Sequence, residues 1–132
     1  MTVRVLVVDD EADVEILFRQ QFRREVRGGL YALDFALSAA AALEKLEGCI
    51  GEEIILLVSD INMPGMTGLE LLSVVKQLRP DLPVFMISAY GDAGTVAMAL
   101  ARGASKFLAK PVDFPALKQG VLAALASARR GA

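Results

Sequence analysis

Four short stretches of this 132-residue chain carry side chains suited to phosphate or metal chemistry, and each lies at the end of an apolar run. Asp9-Asp10-Glu11 follows residues 3–8, and Asp60 and Asn62 follow residues 54–59. Ser88-Ala89 closes the run that begins at Val84, and Lys110-Pro111 follows residues 106–109. Crowded carboxylates repel one another, and one takes up a proton unless a cation intervenes. Oxygen donors of this kind suit Mg2+, which uses one or two carboxylates, keeps several waters and leaves room for a phosphate oxygen. Lys110 offers a point charge that can pair with Asp60 or with a phosphoryl group. Ser88 can hydrogen-bond a phosphoryl oxygen. Phosphoryl transfer needs mainly positioning and charge neutralisation, and an aspartate can serve as the covalent nucleophile.

For these residues to meet, the apolar runs must lie side by side with their carboxyl ends on one edge. Residues 3–8 are nearly continuous β-branched and leucine positions, the pattern of a strand buried on both faces. Residues 13–26 place Val14, Leu17, Phe18, Phe22 and Val26 on one helical stripe. Asp13 and Glu15 begin that helix, Arg23, Arg24 and Arg27 end it, and Gly28-Gly29 stops it. Residues 31–37 read as a second strand, with Asp34 marking a sheet edge. Ser38 caps a second helix, Ala39–Glu47. Residues 54–59, the most hydrophobic run, read as a central strand. Thr67 with Glu70 forms a capping box that opens a third helix carrying Leu69, Leu72, Val75, Lys76 and Leu78, which stops before Pro80. Val84–Ser88 is the fourth strand. Asp92 caps an alanine-rich fourth helix to about residue 101, Lys106–Ala109 is a short fifth strand, and Asp113 caps a last helix to about residue 128.

Strict alternation of strand and helix requires crossover connections, hence an α/β domain with a parallel sheet covered on both faces. In such doubly wound sheets ligands bind at the carboxyl ends of the strands, where all four stretches fall.

Composition bounds the rest. The length fits one domain with a core that needs no disulfide or structural metal. Hydrophobic residues make up 55% of the chain, as a sheet buried on both faces would require. Charges interrupt every long apolar stretch, so no membrane span is expected, and Met1-Thr2-Val3-Arg4 lacks the pattern of a signal peptide. A soluble, cytoplasmic protein is the expectation. Its net charge of -2 gives no basic excess for direct nucleic-acid binding. The single cysteine, Cys49, sits between glycines in a loop and excludes an intrachain disulfide. There is no histidine, so histidine general bases, Ser-His-Asp triads and the common zinc sites are ruled out.

Val7-Val8-Asp9-Asp10-Glu11, the run from Ser59-Asp60-Ile61-Asn62-Met63-Pro64-Gly65 to Met66-Thr67-Gly68, Ile87-Ser88-Ala89 and Lys110-Pro111 together resemble the receiver domain of two-component response regulators. The chain is similar to the single-domain chemotaxis-type regulators. The resemblance runs over the whole chain as one domain, residues 1–132 with a core of about 4–126. It implies a (βα)5 flavodoxin-like sheet of strand order 2-1-3-4-5, in a bacterial signalling protein rather than an enzyme with an external substrate. It also implies that Asp60 is the phosphoacceptor, assisted by Lys110 and Ser88. Mg2+ would be held by the Asp10 and Asp60 carboxylates, the Asn62 backbone carbonyl and, through water, Asp9. Ser88 and Phe107 stand at the switch positions, and the Lys110–Pro111 bond corresponds to one that is cis in the family. The implied partners are a sensor histidine kinase or histidine phosphotransfer protein upstream and an effector protein or domain downstream. The effector would be met through the surface of helix four, strand five and helix five, with homodimerisation also open to the domain. Tyr90, two residues beyond Ser88, would place a ring where water must attack an acyl phosphate. Segment 47–53 is longer than a minimal receiver requires. Two rivals fit less well. A haloacid dehalogenase-like phosphohydrolase would have a second acid where Asn62 stands, and a flavodoxin-like cofactor binder would not put Asp9-Asp10-Glu11 beside a phosphate.

Overall fold

The computed structural model describes residues 2–89 and 91–130; Tyr90, and with it the shielding role expected of its ring, lies outside them. The elements are β1 (Arg4–Val8), α1 (Ala12–Gln21), α2 (Arg23–Arg27), β2 (Ala32–Ala36), α3 (Ala39–Glu47), β3 (Ile54–Asp60) and α4 (Gly68–Leu78). They continue with β4 (Val84–Ser88), α5 (Ala93–Ala101), β5 (Lys106–Ala109) and α6 (Phe114–Arg130). The strands form one parallel sheet in the order β2-β1-β3-β4-β5, the flavodoxin-like arrangement the resemblance implies.

Strand alternation divides the core in two. Leu6, Val8, Leu57, Val84 and Met86 face α3, α4 and α5, where Ala42, Leu71, Leu72, Val75 and Ala99 are buried. Val5, Val7, Leu56, Val58, Phe85 and Ile87 face the other way, against Phe18 of α1 and Leu117 and Val121 of α6. Burial on both faces is why β1, β3 and β4 have no polar alternation.

The helix starts follow their expected caps. Ser38 Oγ accepts the Ala41 N–H at 3.1 Å. Thr67 and Glu70 form the reciprocal capping box. Asp92 accepts the Thr95 N–H at 2.7 Å, and Asp113 accepts the Ala116 N–H at 3.1 Å.

The expected single helix over residues 13–26 is instead two helices, broken at Phe22 (φ -102°, ψ 11°). Phe22 stacks on Phe18 at 5.8 Å and meets Tyr31 and Phe114 edge-on. Packing of this ring sets the turn, and beyond it Val26 faces solvent. Of the expected stripe, Phe18 and Phe22 are buried, whereas Leu17 and Val26 are exposed. Lys118 of α6 ties the second piece down through Glu25 at 3.1 Å. β2 is also shorter than the expected residues 31–37. Segment 47–53 folds as a turn followed by a single 3-10 turn, Gly51–Glu53.

Both sheet edges are short and charged. On β2, Asp34 pairs with Arg4 at 3.1 Å, and Arg4 also reaches Glu53 at 2.6 Å. On β5, a strand of four residues, Lys106 and Ala109 are exposed. Among the described residues no helix is long and apolar enough to cross a membrane.

Candidate functional site

The carboxyl ends of β1, β3, β4 and β5 bring the four stretches together. Asp9 follows β1 and is held there by its backbone N–H, which donates to the Ala36 carbonyl at 3.1 Å. Asp60 is the last residue of β3, and Ser88 the last of β4. Asp9, Asp60 and Ser88 are buried, whereas Asp10 and Asn62 are exposed at the rim. One carboxylate oxygen from each of Asp9, Asp10 and Asp60 lies within 4.8 Å of the others.

Lys110 crosses the cluster from the end of β5. Its Nζ lies 3.3 Å from Asp9 Oδ2 and 3.3 Å from Asp60 Oδ2. The pairing with Asp60 was legible in the sequence; the equal pairing with Asp9 was not, because it depends on how far β1 and β5 stand apart. The peptide bond between Lys110 and Pro111 is cis. The Lys110 N–H donates to the Ser88 carbonyl at 3.0 Å, registering β5 against β4.

The remaining carboxylate oxygens take backbone donors. Asp9 Oδ1 accepts the Glu11 N–H at 2.9 Å, and Asp60 Oδ1 accepts the Asn62 N–H at 3.3 Å. The side-chain amide of Asn62 reaches down to donate to Ser88 Oγ at 3.2 Å. Gly68, where α4 begins, packs directly on the site's backbone. A Cβ there would stand 2.1 Å from the Asp60 carbonyl oxygen and 2.7 Å from Ile61 Cα. Sequence reasoning singled out neither this contact nor the Asn62–Ser88 bond. Only the Thr67-Gly68 pair at the helix start hinted at the first.

One ammonium therefore serves two buried carboxylates. Burial holds Asp60 above the ordinary carboxylate range; Lys110 opposes this and the neighbouring Asp9 reinforces it. Burial also pulls the Lys110 ammonium down, but the Asp60 and Asp9 charges outweigh that and leave it above its ordinary value. Lys110 is thus a fixed cation, and the cluster keeps an unbalanced negative charge. Three carboxylates with converging oxygens and too few cations form a hard-oxygen donor set of the kind that holds Mg2+. The residues present fit that ion.

Phe107 is half-buried on β5 and packs against the core beneath α3, α4 and α5. Its ring edge lies 3.2 Å from where a Cβ on Gly91 would be, so it rests against the β4–α5 connection just past Ser88. Beside the acidic cluster, a cavity of about 270 Å3 runs between α1 and the start of α6, walled by Val14, Leu17, Phe18, Val112 and Phe114.

The sequence profile of the response regulator receiver domain matches residues 5–122. The chain belongs to this family. Phosphorylation on an aspartate is the general function of receiver domains, which also generally bind Mg2+ at an acidic pocket and interact with histidine kinases and effector domains. Among relatives, the chain is 38% identical over 122 residues to the response regulator protein PilR of Pseudomonas aeruginosa, covering 92% of this chain and 26% of PilR. It thus spans about a quarter of the length of the curated relatives it matches. Among solved structures, a CheY-like receiver domain protein of Methanospirillum hungatei superposes with a TM-score of 0.86 at 27% identity, over 100% of both chains. The CheX-CheY-BeF3-Mg complex of Borrelia burgdorferi matches with a TM-score of 0.80 at 31% identity, over 92% of this chain and 87% of the other.

Proposed function

We propose that Asp60 is the phosphoacceptor of this receiver domain and that the surrounding residues divide the work of loading it. The observation that carries this reading is the position of Asp60 among its neighbours. Asp60 closes the central strand with one oxygen on the Lys110 ammonium and the other on a backbone N–H. Asp10, Asp60 and the Asn62 backbone carbonyl would hold Mg2+, with Asp9 contacting it through water. When bound, the ion supplies charge neutralisation for the phosphoryl oxygens.

In the proposed transfer, an Asp60 carboxylate oxygen attacks the phosphorus of a phosphohistidine. The new O–P bond forms as the P–N bond breaks, and the bonding electron pair leaves with the imidazole nitrogen, which takes up a proton. Lys110 holds the developing charge on the phosphoryl oxygens, and Ser88 donates its hydroxyl to one of them. The domain thereby assists its own modification instead of turning over a separate substrate. Having no histidine, it takes phosphate from a sensor histidine kinase, a histidine phosphotransfer protein or a small phosphodonor.

Engagement of Ser88 shifts an existing equilibrium of the outer surface, with Phe107 as the link from β4 to β5. The elements α5, β5 and α6 (the predicted helix four, strand five and helix five) carry Met98, Leu100 and Leu122 as exposed apolar side chains, with Lys106 exposed on β5. Such a face suits an effector domain or a second copy of the chain. We read the receiver unit as residues of about 4–126.

Incubation with acetyl phosphate and Mg2+, followed by intact mass and peptide mapping, tests the assignment. A single phosphate adduct on the peptide bearing Asp60, absent in Asp60→Asn and under chelation, is expected. An adduct that survives in Asp60→Asn overturns it. Continuous release of phosphate from esters without an adduct would instead indicate a hydrolase.

A further inference from the structure

The proposed phosphoryl transfer leaves unused the cavity between α1 and the start of α6, whose lining is of two kinds. Val14 and Leu17 line it from α1, and Val112 and Phe114 from the chain that follows β5. The rings of Phe18 and Phe114 meet edge-on at 5.2 Å. An apolar cavity of roughly 150 Å3 is enough to take up benzene. The volume of about 270 Å3 here leaves room for a ring and a short arm. The polar part of the lining is Asp9, Glu11, Asp60 and Lys110. Lys110 is shared between Asp9 and Asp60. The Glu11 carboxylate pairs with no cation among the described residues, and it stands outside the oxygen set that fits Mg2+. With that ion in place, four carboxylates face one dication and one ammonium, and the negative charge left over falls at Glu11.

We propose that this cavity binds a small organic amine, its one apolar ring held between α1 and the start of α6 and its ammonium paired with Glu11. The site concerns binding alone and does not depend on Asp60 being the phosphoacceptor. Charge complementarity selects the occupant. A neutral guest gains only from burial of its ring against apolar walls. An anionic guest meets the acidic cluster and is repelled. An ammonium adds an ion pair to the burial, at a carboxylate that neither Lys110 nor the Mg2+ donor set uses. The aromatic walls suit a ring, because Phe18 and Phe114 can present edge and face to it. Leu17, an apolar side chain 43% exposed in the protein alone, is covered when a ring lies against it.

The test titrates the full 132-residue chain in Mg2+ with phenethylamine, and in parallel with phenethyl alcohol and phenylacetate, reading Kd from backbone amide NMR shifts. Saturable shifts centred on residues 11–18 and 110–114 are expected. The amine should bind about three- to fivefold tighter than the alcohol, the span of one partly exposed ion pair, and phenylacetate weakest of the three. Glu11→Gln should bring the amine down to the affinity of the alcohol and leave the alcohol unchanged. Leu17→Trp fills the cavity from its rim and should weaken amine and alcohol alike by at least about fivefold. Glu11 and Leu17 are both exposed, so both variants should melt within about 2 °C of wild type. An amine that binds no tighter than the alcohol overturns the proposal, as does a preference that survives Glu11→Gln. So does the absence of saturable shifts at these residues up to about 20 mM amine, since a ligand of this size in a fitting site binds near the millimolar range.

Discussion

Replacing Asp60 by asparagine should stabilise the unmodified domain while abolishing its phosphorylation. Lys110 attracts the Asp60 carboxylate across 3.3 Å, worth about 5 kcal/mol at an effective dielectric near 20. Asp9 repels it across no more than 4.8 Å, at least about 3.5 kcal/mol on the same scale. Asp10, exposed to water, adds under about 1 kcal/mol of repulsion. These terms nearly cancel, and the cost of keeping a carboxylate 6% exposed remains. That cost is several kcal/mol per buried ion. Asparagine keeps the shape and the acceptor for the Asn62 N–H, and Lys110 keeps Asp9. The expected net gain is about 2 kcal/mol at pH 7, roughly 6–10 °C in Tm for a domain of this size.

The pH dependence has a defined sign. Burial raises the folded-state pKa of Asp60, so its destabilising effect is fully present above that pKa. The effect fades as pH falls through it toward the ordinary carboxylate range. The stability gap between Asp60→Asn and wild type is therefore widest near neutrality and closes on acidification. Thermal and urea denaturation from pH 7 to pH 4 measure it. An Asp60→Asn protein no more stable than wild type at pH 7, or a gap that widens in acid, would refute the charge reasoning.

Lys110→Ala leaves Asp9 and Asp60 buried without their shared ammonium and should cost about 3 kcal/mol at pH 7. Thermal melts should show Mg2+ restoring more Tm to this variant than it adds to wild type, and equal increments would count against the shared-cation picture. Gly68→Ala drives a methyl group into the Asp60 carbonyl and should lose about 3 kcal/mol in urea unfolding, the upper range of overpacking; a neutral result would mean that α4 can slide away from β3. Thr67→Ala removes only the capping box, at about 1 kcal/mol. Its phosphate adduct after acetyl phosphate treatment should match wild type by intact mass.

The residues at the strand ends were readable because each sits in a local pattern: an apolar run ended by a carboxylate, a hydroxyl or a lysine. The caps at Ser38, Thr67, Asp92 and Asp113 were readable for the same reason, since a cap joins residues three positions apart. What escaped was set by elements distant in sequence. At the break, Tyr31, just ahead of β2, and Phe114 of α6 converge on the Phe22 ring. In α4, Leu71, which the expected stripe left out, is buried and Leu78, which it included, is exposed. The same holds within the site. Lys110 was expected to pair with Asp60, but its division between two carboxylates depends on the spacing of β1, β3 and β5. Asn62 follows β3 and Ser88 ends β4, and no spacing rule connects them.

The charged ends of the sheet bear on behaviour at high concentration. A parallel sheet with three strands buried on both faces would make an adhesive template if either edge were long and bare. β2 instead commits Asp34 to an ion pair with Arg4, and β5 stops after four residues with Lys106 in solvent. A stray strand docking on either side would have to break an ion pair or desolvate an ammonium. The same two positions that close the fold laterally thus protect it from fibre-like assembly and leave helix faces as the surfaces open to association.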